Sequence, residues 1–300
     1  MKYLAGIDLG GTKCAAVIAK QNGESLSFLC RKEVKTAGKW TEVLDILIGF
    51  IKTEAAKYAI TVSACGISAG GPLDGKRGVI LNPPNLMSFE NAPVVEYVSA
   101  ELKCPAALQN DADACALAEW KFGAGRGAEN IIFLTFGTGL GAGLILNGKL
   151  YTGAKNLAGE VGHIRLEKDG PIGYRKAGSF EGFCSGGGIK QLIKLRLNEN
   201  FDAKELCFRA EKGDKNAIAV FEEIGDKFGA GLAVLVDILN PEVIVAGSIF
   251  TRAYDFIYPS AVRALEREAL PNSLDGLQLV AAQLGEKIGD YAAAAIAAAI

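Results

Sequence analysis

Asp8-Leu9-Gly10-Gly11-Thr12-Lys13 places a carboxylate at the end of a β-prone run and two glycines in a tight turn, followed by a hydroxyl and an ammonium. Glycine lets backbone N–H groups approach phosphate oxygens with no Cβ in the way, and a neighbouring carboxylate can order the waters around Mg²⁺. An ordinary glycine-rich hairpin has the same composition. The turn Gly137-Thr138-Gly139-Leu140-Gly141 repeats the device, and two such turns suit an ATP held between two halves of a molecule. Neither fits the P-loop pattern GxxxxGK(S/T), and no GxGxxG opens a helix after a strand, so P-loop and Rossmann readings both fail.

Asn110-Asp111 follows a β-prone run, Pro105 to Gln109, and precedes a helical pattern from Ala112. A carboxylate at the loop end of a strand can accept a proton from an attacking hydroxyl. Asp111 or Asp113 could equally serve as a helix cap. His163 is the only histidine and stands three residues after Glu160 in Ala158-Gly159-Glu160-Val161-Gly162-His163. With no cysteine cluster and no second histidine, Cys/His zinc and Ser/His/Asp hydrolysis lack support, and hydrogen bonding to a polyol is the better role. Glu181 is a further carboxylate in a glycine-rich loop, although surface exposure accounts for it nearly as well. The segment from Asp237 to Ser248 reads as a helix stop, a buried strand and a small-residue turn ending at Gly247-Ser248, the grammar of a ligand-bearing strand end.

The elements that must carry these residues alternate between helix and strand. Helical patterns cover Thr41 to Tyr58, Ala112 to Phe122 and Phe221 to Leu239; strands cover Ser63 to Ile67, Pro105 to Gln109 and Glu242 to Ala246. Each glycine turn joins two β-prone runs, which is hairpin grammar. Laying Leu9-Gly10 on Phe136-Gly137 superposes Ala15 on Ala142, Val17 on Leu144 and Ile18 on Ile145, a weak self-similarity that suggests two related halves. The class is α/β in two lobes, with the boundary set near Asn110 by pattern and the last helix expected to return to the first lobe.

Half of the 300 residues are hydrophobic, enough for two packed domains. Lys+Arg 32 against Asp+Glu 34 gives no field to hold nucleic acid or an anionic membrane, and argues for a small-molecule partner. The seven cysteines are scattered and form no CxxC pair, as in a reducing compartment. The opening MKYLAGIDLGG lacks a signal peptide's apolar run, so the expected location is the cytoplasm. The tail AAAAIAAAI is too short and too alanine-rich for a bilayer span and reads as a packed terminal helix.

In order and spacing, DLGGTK from Asp8, NDADACALAE from Asn110, FGTGLGAG from Phe136, AGEVGH to His163 and LNPEVIVAG to Gly247 resemble the ROK family of sugar kinases and repressors over essentially the whole chain. The resemblance implies an actin-like ATPase (ribonuclease H-like) fold. Its lobes would be 1–110, completed by a helix at about 289–300, and 111–288, with ATP in an interlobe cleft and a hexose beside it. It implies an ATP-dependent hexokinase-type phosphotransferase, glucokinase first; kinases of N-acetylhexosamines, mannose or fructose, or a non-catalytic sugar-sensing regulator, are the alternatives. A homodimer or homotetramer is implied as well.

By the same resemblance Asp111 would be the catalytic base and Asp8 would hold Mg²⁺ through water. Gly70, Asn85, Asn110, Glu160, His163 and Glu181 would meet the sugar. Gly10, Gly11, Thr12, Lys13, Thr138 and Gly139 would hold phosphates, with Gly247 near the nucleoside. The family's CxCGxxGC zinc loop is here Ile172-Gly173-Tyr174-Arg175-Lys176-Ala177-Gly178-Ser179, all three cysteine positions being lost. No zinc is therefore expected, and packing by Ile172 and Tyr174 is the expected substitute. Gly70-Gly71-Pro72, Asp113 and Gly247-Ser248 also depart from the family's usual residues. DNA binding lacks both a basic recognition stretch and a helix-turn-helix ahead of Asp8.

Overall fold

The computed structural model describes residues 1–300 and divides into two compact units. The first comprises Met1–Gly127, Leu150–Ala158 and Leu284–Ile300; the second comprises Ala128–Lys149 and Gly159–Gln283. The division thus falls after Gly127, not at Asn110, because the helix Asp111–Phe122 packs on the terminal helix Ile288–Ala298 of the first unit.

In the first unit, strands β1 (Lys2–Leu9), β2 (Lys13–Asn22) and β3 (Ser25–Lys35) form an antiparallel meander, and β4 (Ala64–Ala69) and β5 (Ala106–Asn110) extend the sheet in parallel on the other side of β1. One face carries helices α1 (Trp40–Lys57) and α2 (Val94–Leu102), whose Leu44, Leu47, Ile48 and Val98 close a core with Ile7, Leu9 and Ile67. On the other face lie α3 (Asp111–Phe122) and the alanine-rich helix at the C-terminus. That helix comes so close to the sheet that a Cβ on Gly6 would sit 2.8 Å from Ala293 Cβ, and one on Gly66 would sit 2.7 Å from Ile296 Cβ. Alanine facing glycine explains the unusual tail: its small residues are buried against a backbone surface. No helix of the chain is long and apolar enough to cross a membrane.

The second unit repeats the plan. Strands β6 (Ile131–Phe136), β7 (Leu140–Leu146) and β8 (Lys149–Leu150) are followed by β9 (Val243–Ala246) and β10 (Gln278–Ala281), with strand order β8-β7-β6-β9-β10 against β3-β2-β1-β4-β5 in the first. The two sheets are topological copies, but the residue-level superposition slips by one after the turn. Leu9 pairs with Cys14 across four residues, whereas Phe136 pairs with Leu140 across three. Register therefore equates Val17 with Gly143, not Leu144, a slip to which a period of two is sensitive. Helices α4 (Gly186–Leu197), α5 (Ala203–Glu211), α6 (Lys215–Leu239) and α7 (Tyr254–Glu268) complete this unit, α6 lying along α7. The long helix α6 starts earlier than its apolar periodicity indicates, because Asp214 caps it by accepting from Asn216 N–H at 2.9 Å.

Candidate functional site

In the first unit, the parallel registers put Leu9, Ala69 and Asn110 in one row at the C-terminal edge of β1, β4 and β5. Gly10, Gly70 and Asp111 therefore all leave the sheet together, at the edge where α/β sheets present ligand groups. One row earlier, Asp8 stands beside Ser68, which is 2% exposed and hydrogen-bonds its carboxylate. Burial, reinforced by the charges of Asp111 and Asp290 against weaker help from Ser68 and Arg31, pushes the Asp8 pKa up to about 6. The first turn of the terminal helix, α8 (Ile288–Ala298), presses on it, since a Cβ on Gly289 would lie 2.9 Å from Asp8 Oδ2.

Asn110 is the N-cap of α3, its Oδ1 accepting from Ala112 N–H at 2.9 Å, and its side chain also hydrogen-bonds Asp111. Helix capping, the competing role for Asp111, thus belongs to its neighbour. Asp111 Oδ1 accepts from the same Ala112 N–H at 2.8 Å, which fixes the carboxylate while the side chain still reaches solvent. Surrounding protein displaces bulk water from it and raises its pKa, with the Ala112 hydrogen bond opposing. Asp113 is buried in α3.

The turn after β1 is held from behind. Gly10 N–H donates to Lys13 O at 3.1 Å, Thr36 Oγ1 donates to Gly10 O at 2.6 Å and Thr36 N–H donates to Thr12 O at 3.0 Å. Thr36, which sequence reasoning passed over, spends its polar groups on the turn. Gly11 rests on the backbone of Asn85, where a Cβ would collide, so the turn after β1 and the loop carrying Asn85 touch within this unit. Lys13 behaves differently from the expectation: its ammonium pairs with Glu33 Oε1 at 2.6 Å across the β2–β3 ladder. At this exposed position the pair is weak enough to exchange for phosphate.

In the second unit, Gly137 N–H donates to Gly139 O at 3.0 Å, and Gly186 N–H, from the start of α4, donates to Gly137 O at 2.8 Å. Ser185 caps α4 through Gly188 N–H at 3.1 Å. Thr138, Gly186 and Gly187 then open onto a cavity of about 560 Å³ whose far walls include Cys207, Phe208 and Ile249. A helix N-terminus beside a glycine turn favours phosphate, and the apolar walls suit a base. The run Ser185-Gly186-Gly187-Gly188 was the available sequence signal for this cavity. Gly247 is buried against the Phe133 ring and does not line the cavity, whose neighbouring wall is formed by Ile249, Arg252 and Ala253.

Glu181, expected to face the sugar, accepts from Leu140 N–H at 3.0 Å and lies where a Gly139 Cβ would intrude. One of its oxygens therefore braces the glycine turn. Glu160 and His163 are exposed on the short turn at Val161–His163, and the His163 ring meets Tyr174. The hairpin replacing the zinc loop is not held by Ile172, which is half exposed. Backbone and side-chain hydrogen bonds hold it, including a reciprocal pair between Gln191 and Ile172 at 2.8 and 3.0 Å. No group of three or more His, Cys, Asp or Glu side chains converges to cage a metal. Asp8 with Asp111 is instead a pair of mutually repelling, desolvated carboxyls, a donor set that fits a largely hydrated Mg²⁺.

A family model described as the ROK family matches residues 4–300. A glucokinase from Streptomyces coelicolor is 30% identical, the alignment covering 99% of this chain and 98% of that protein. The crystal structure of a ROK hexokinase from Thermus thermophilus aligns with a TM-score of 0.86 at 29% identity, covering 99% of this chain and 98% of that one. A ROK family glucokinase from Streptomyces griseus, in complex with glucose and AMPPNP, aligns with a TM-score of 0.77 at 31% identity over 99% of this chain and all of its own.

Proposed function

The chain belongs to the ROK family and has its actin-like ATPase fold, and from that premise we propose that it is an ATP-dependent hexose kinase with glucose as its preferred acceptor. The observation that carries the reading is the carboxylate of Asp111, released from capping by Asn110, fixed by Ala112 N–H and open at the strand edge beside Asp8. Burial raises the Asp111 pKa, which makes this carboxylate a stronger base than a fully solvated one.

Asp111 accepts the proton of the attacking sugar hydroxyl as its oxygen bonds to the γ-phosphorus and the bond from that phosphorus to the ADP oxygen breaks. Asn85, Asn110, Glu160, His163, Glu181 and the Gly70 loop hold and orient the hexose, which raises the frequency of in-line approach. The Gly10–Thr12 and Gly137–Gly139 turns hold phosphates with backbone N–H groups, those of Gly11 and Thr12 having no partner within the chain. The cavity beside Thr138 takes the nucleoside, with Phe208 and Ile249 against the base. Asp8 would hold a nucleotide-bound Mg²⁺ through water, and the ion would supply positive charge to offset that on the transferred phosphoryl group. The proposed setting is the cytoplasm, and the proposed assembly a homodimer or homotetramer, which light scattering would establish.

The test is ADP release from MgATP with glucose, mannose, fructose, N-acetylglucosamine and N-acetylmannosamine as separate acceptors. Saturable turnover, with glucose giving the highest kcat/KM, is the expected result. Turnover highest with an N-acetylated sugar would reassign the acceptor, and none with any of them would overturn the kinase reading.

A further inference from the structure

His163 and Glu181 lie far apart in sequence, and one small hairpin touches both. Its strands, Ile172–Gly173 and Lys176–Ala177, are joined by Tyr174-Arg175. The Tyr174 ring meets the His163 ring edge-on, with centroids 5.1 Å apart and planes at 68°. Lys176 Nζ donates to His163 O at 2.5 Å. On the other arm, Gly173 lies so close to Glu181 that a Cβ would fall 2.7 Å from Glu181 Cβ, and Ser179 Oγ donates to Gly173 O at 3.4 Å. Arg165 and Gln191 fasten the hairpin further, through Ala177 O at 2.8 Å and both polar groups of the Ile172 backbone.

The turn itself is chosen against local preference. Tyr174 and Arg175 have φ of +40° and +69°, the signs of a type I′ hairpin, where Asn-Gly is the favoured pair. A bulky aromatic residue in the left-handed region is an outlier, and such outliers persist where the surroundings over-determine them. Tyr174 is nevertheless 71% exposed, so core packing does not require it. What its ring does touch is His163.

We infer that Tyr174 is the positioning residue for His163, the hairpin setting the His163 ring in a fixed relation to Glu181 for sugar binding without a metal. The inference rests on the assignment of His163 and Glu181 to the sugar. Its physical basis is that a hydrogen-bonding ring with one allowed orientation loses little freedom when the sugar arrives, whereas an unsupported one must be ordered at that moment.

The decisive variant is Tyr174→Asn with Arg175→Gly, which improves the turn while deleting the ring, compared with Tyr174→Phe and His163→Ala in steady-state kinetics and thermal melts. The double variant should raise the glucose KM about tenfold, the scale of one hydrogen bond, with kcat and the ATP KM within about twofold. Its Tm should be unchanged or higher, and Tyr174→Phe should match the wild type because the contact is made by the ring. An unchanged glucose KM in the double variant, with His163→Ala raising it, overturns the inference and leaves the reading of the site intact. If His163→Ala has no effect, that reading of His163 and the inference both fall. A fall in Tm with kcat and both KM values shifting together would show a structural role only and also overturn it.

Discussion

The two glycine turns sit at equivalent places in two copies of one sheet, and they are equipped for different work. Register sets Asp8 opposite Ala15 in the first hairpin and Thr135 opposite Gly141 in the second. The Thr135 hydroxyl is consumed locally, accepting from Gly141 N–H at 3.0 Å. Asp8 is raised by burial and by the Asp111 charge, which makes it a poised ionisable group. The first unit thus gathers charge at its sheet edge, and the second gathers glycine N–H groups and a cavity with apolar walls. Duplicated topology fixes where ligand groups emerge, and a few side chains decide whether the edge does chemistry or binding.

That division breaks most sharply by exchanging the poised group for a neutral isostere. Asp8→Asn should lower kcat by about 10²- to 10³-fold, the usual scale for one preorganised electrostatic contact. Thr135→Val should leave kcat within about twofold while costing about 1 kcal/mol of stability. If the two variants lose activity alike, the functional asymmetry is wrong.

The same substitution has a stability consequence of opposite sign. A carboxyl raised from 3.8 to about 6 on folding binds its proton more tightly in the native state. Its contribution to stability is complete below pH 3.8 and is lost as pH rises through 6. Melted without Mg²⁺ at pH 7.5, Asp8→Asn should therefore be more stable than the wild type, by no more than about 3 kcal/mol, and the gain should shrink towards zero at pH 4. A gain independent of pH would remove desolvation as the cause.

Effects confined to the second unit should be smaller and should fall on the nucleotide. A Cβ on Gly187 meets nothing within 4 Å, so Gly187→Leu projects into the cavity without disturbing the fold and should raise the ATP KM about tenfold, with glucose affinity unchanged, in paired titrations. Ser248, at φ +58° and ψ −113°, occupies backbone space that suits glycine. Ser248→Gly should relieve about 1 kcal/mol of strain, read as a small rise in Tm with unchanged kinetics.

Short-range features were legible in the sequence. Asp8 with its turn, Asn110-Asp111 at a strand end and the helix stop at Asn240-Pro241 depend on residues a few positions apart, and each stands where its local pattern indicates. What escaped depended on packing between distant segments. The cavity is assembled from residues as far apart as Thr138 and Ala253. Lys13 finds Glu33 only because β2 pairs with β3. The place of α3 is set by the alanine helix, distant from it in the chain. The one-residue difference between the turns shifted the apparent repeat, since ungapped alignment does not see a shorter loop.

The central claim is that Asp111 performs proton transfer and not helix capping or mere sugar binding. It is tested most directly by measuring, on one preparation of Asp111→Asn, kcat with MgATP and glucose and the glucose Kd by calorimetry. The expected result is a kcat lower by about 10²- to 10⁴-fold, with Kd within about threefold of the wild type. A kcat within about tenfold of the wild type, or a Kd lost in proportion to kcat, would contradict it.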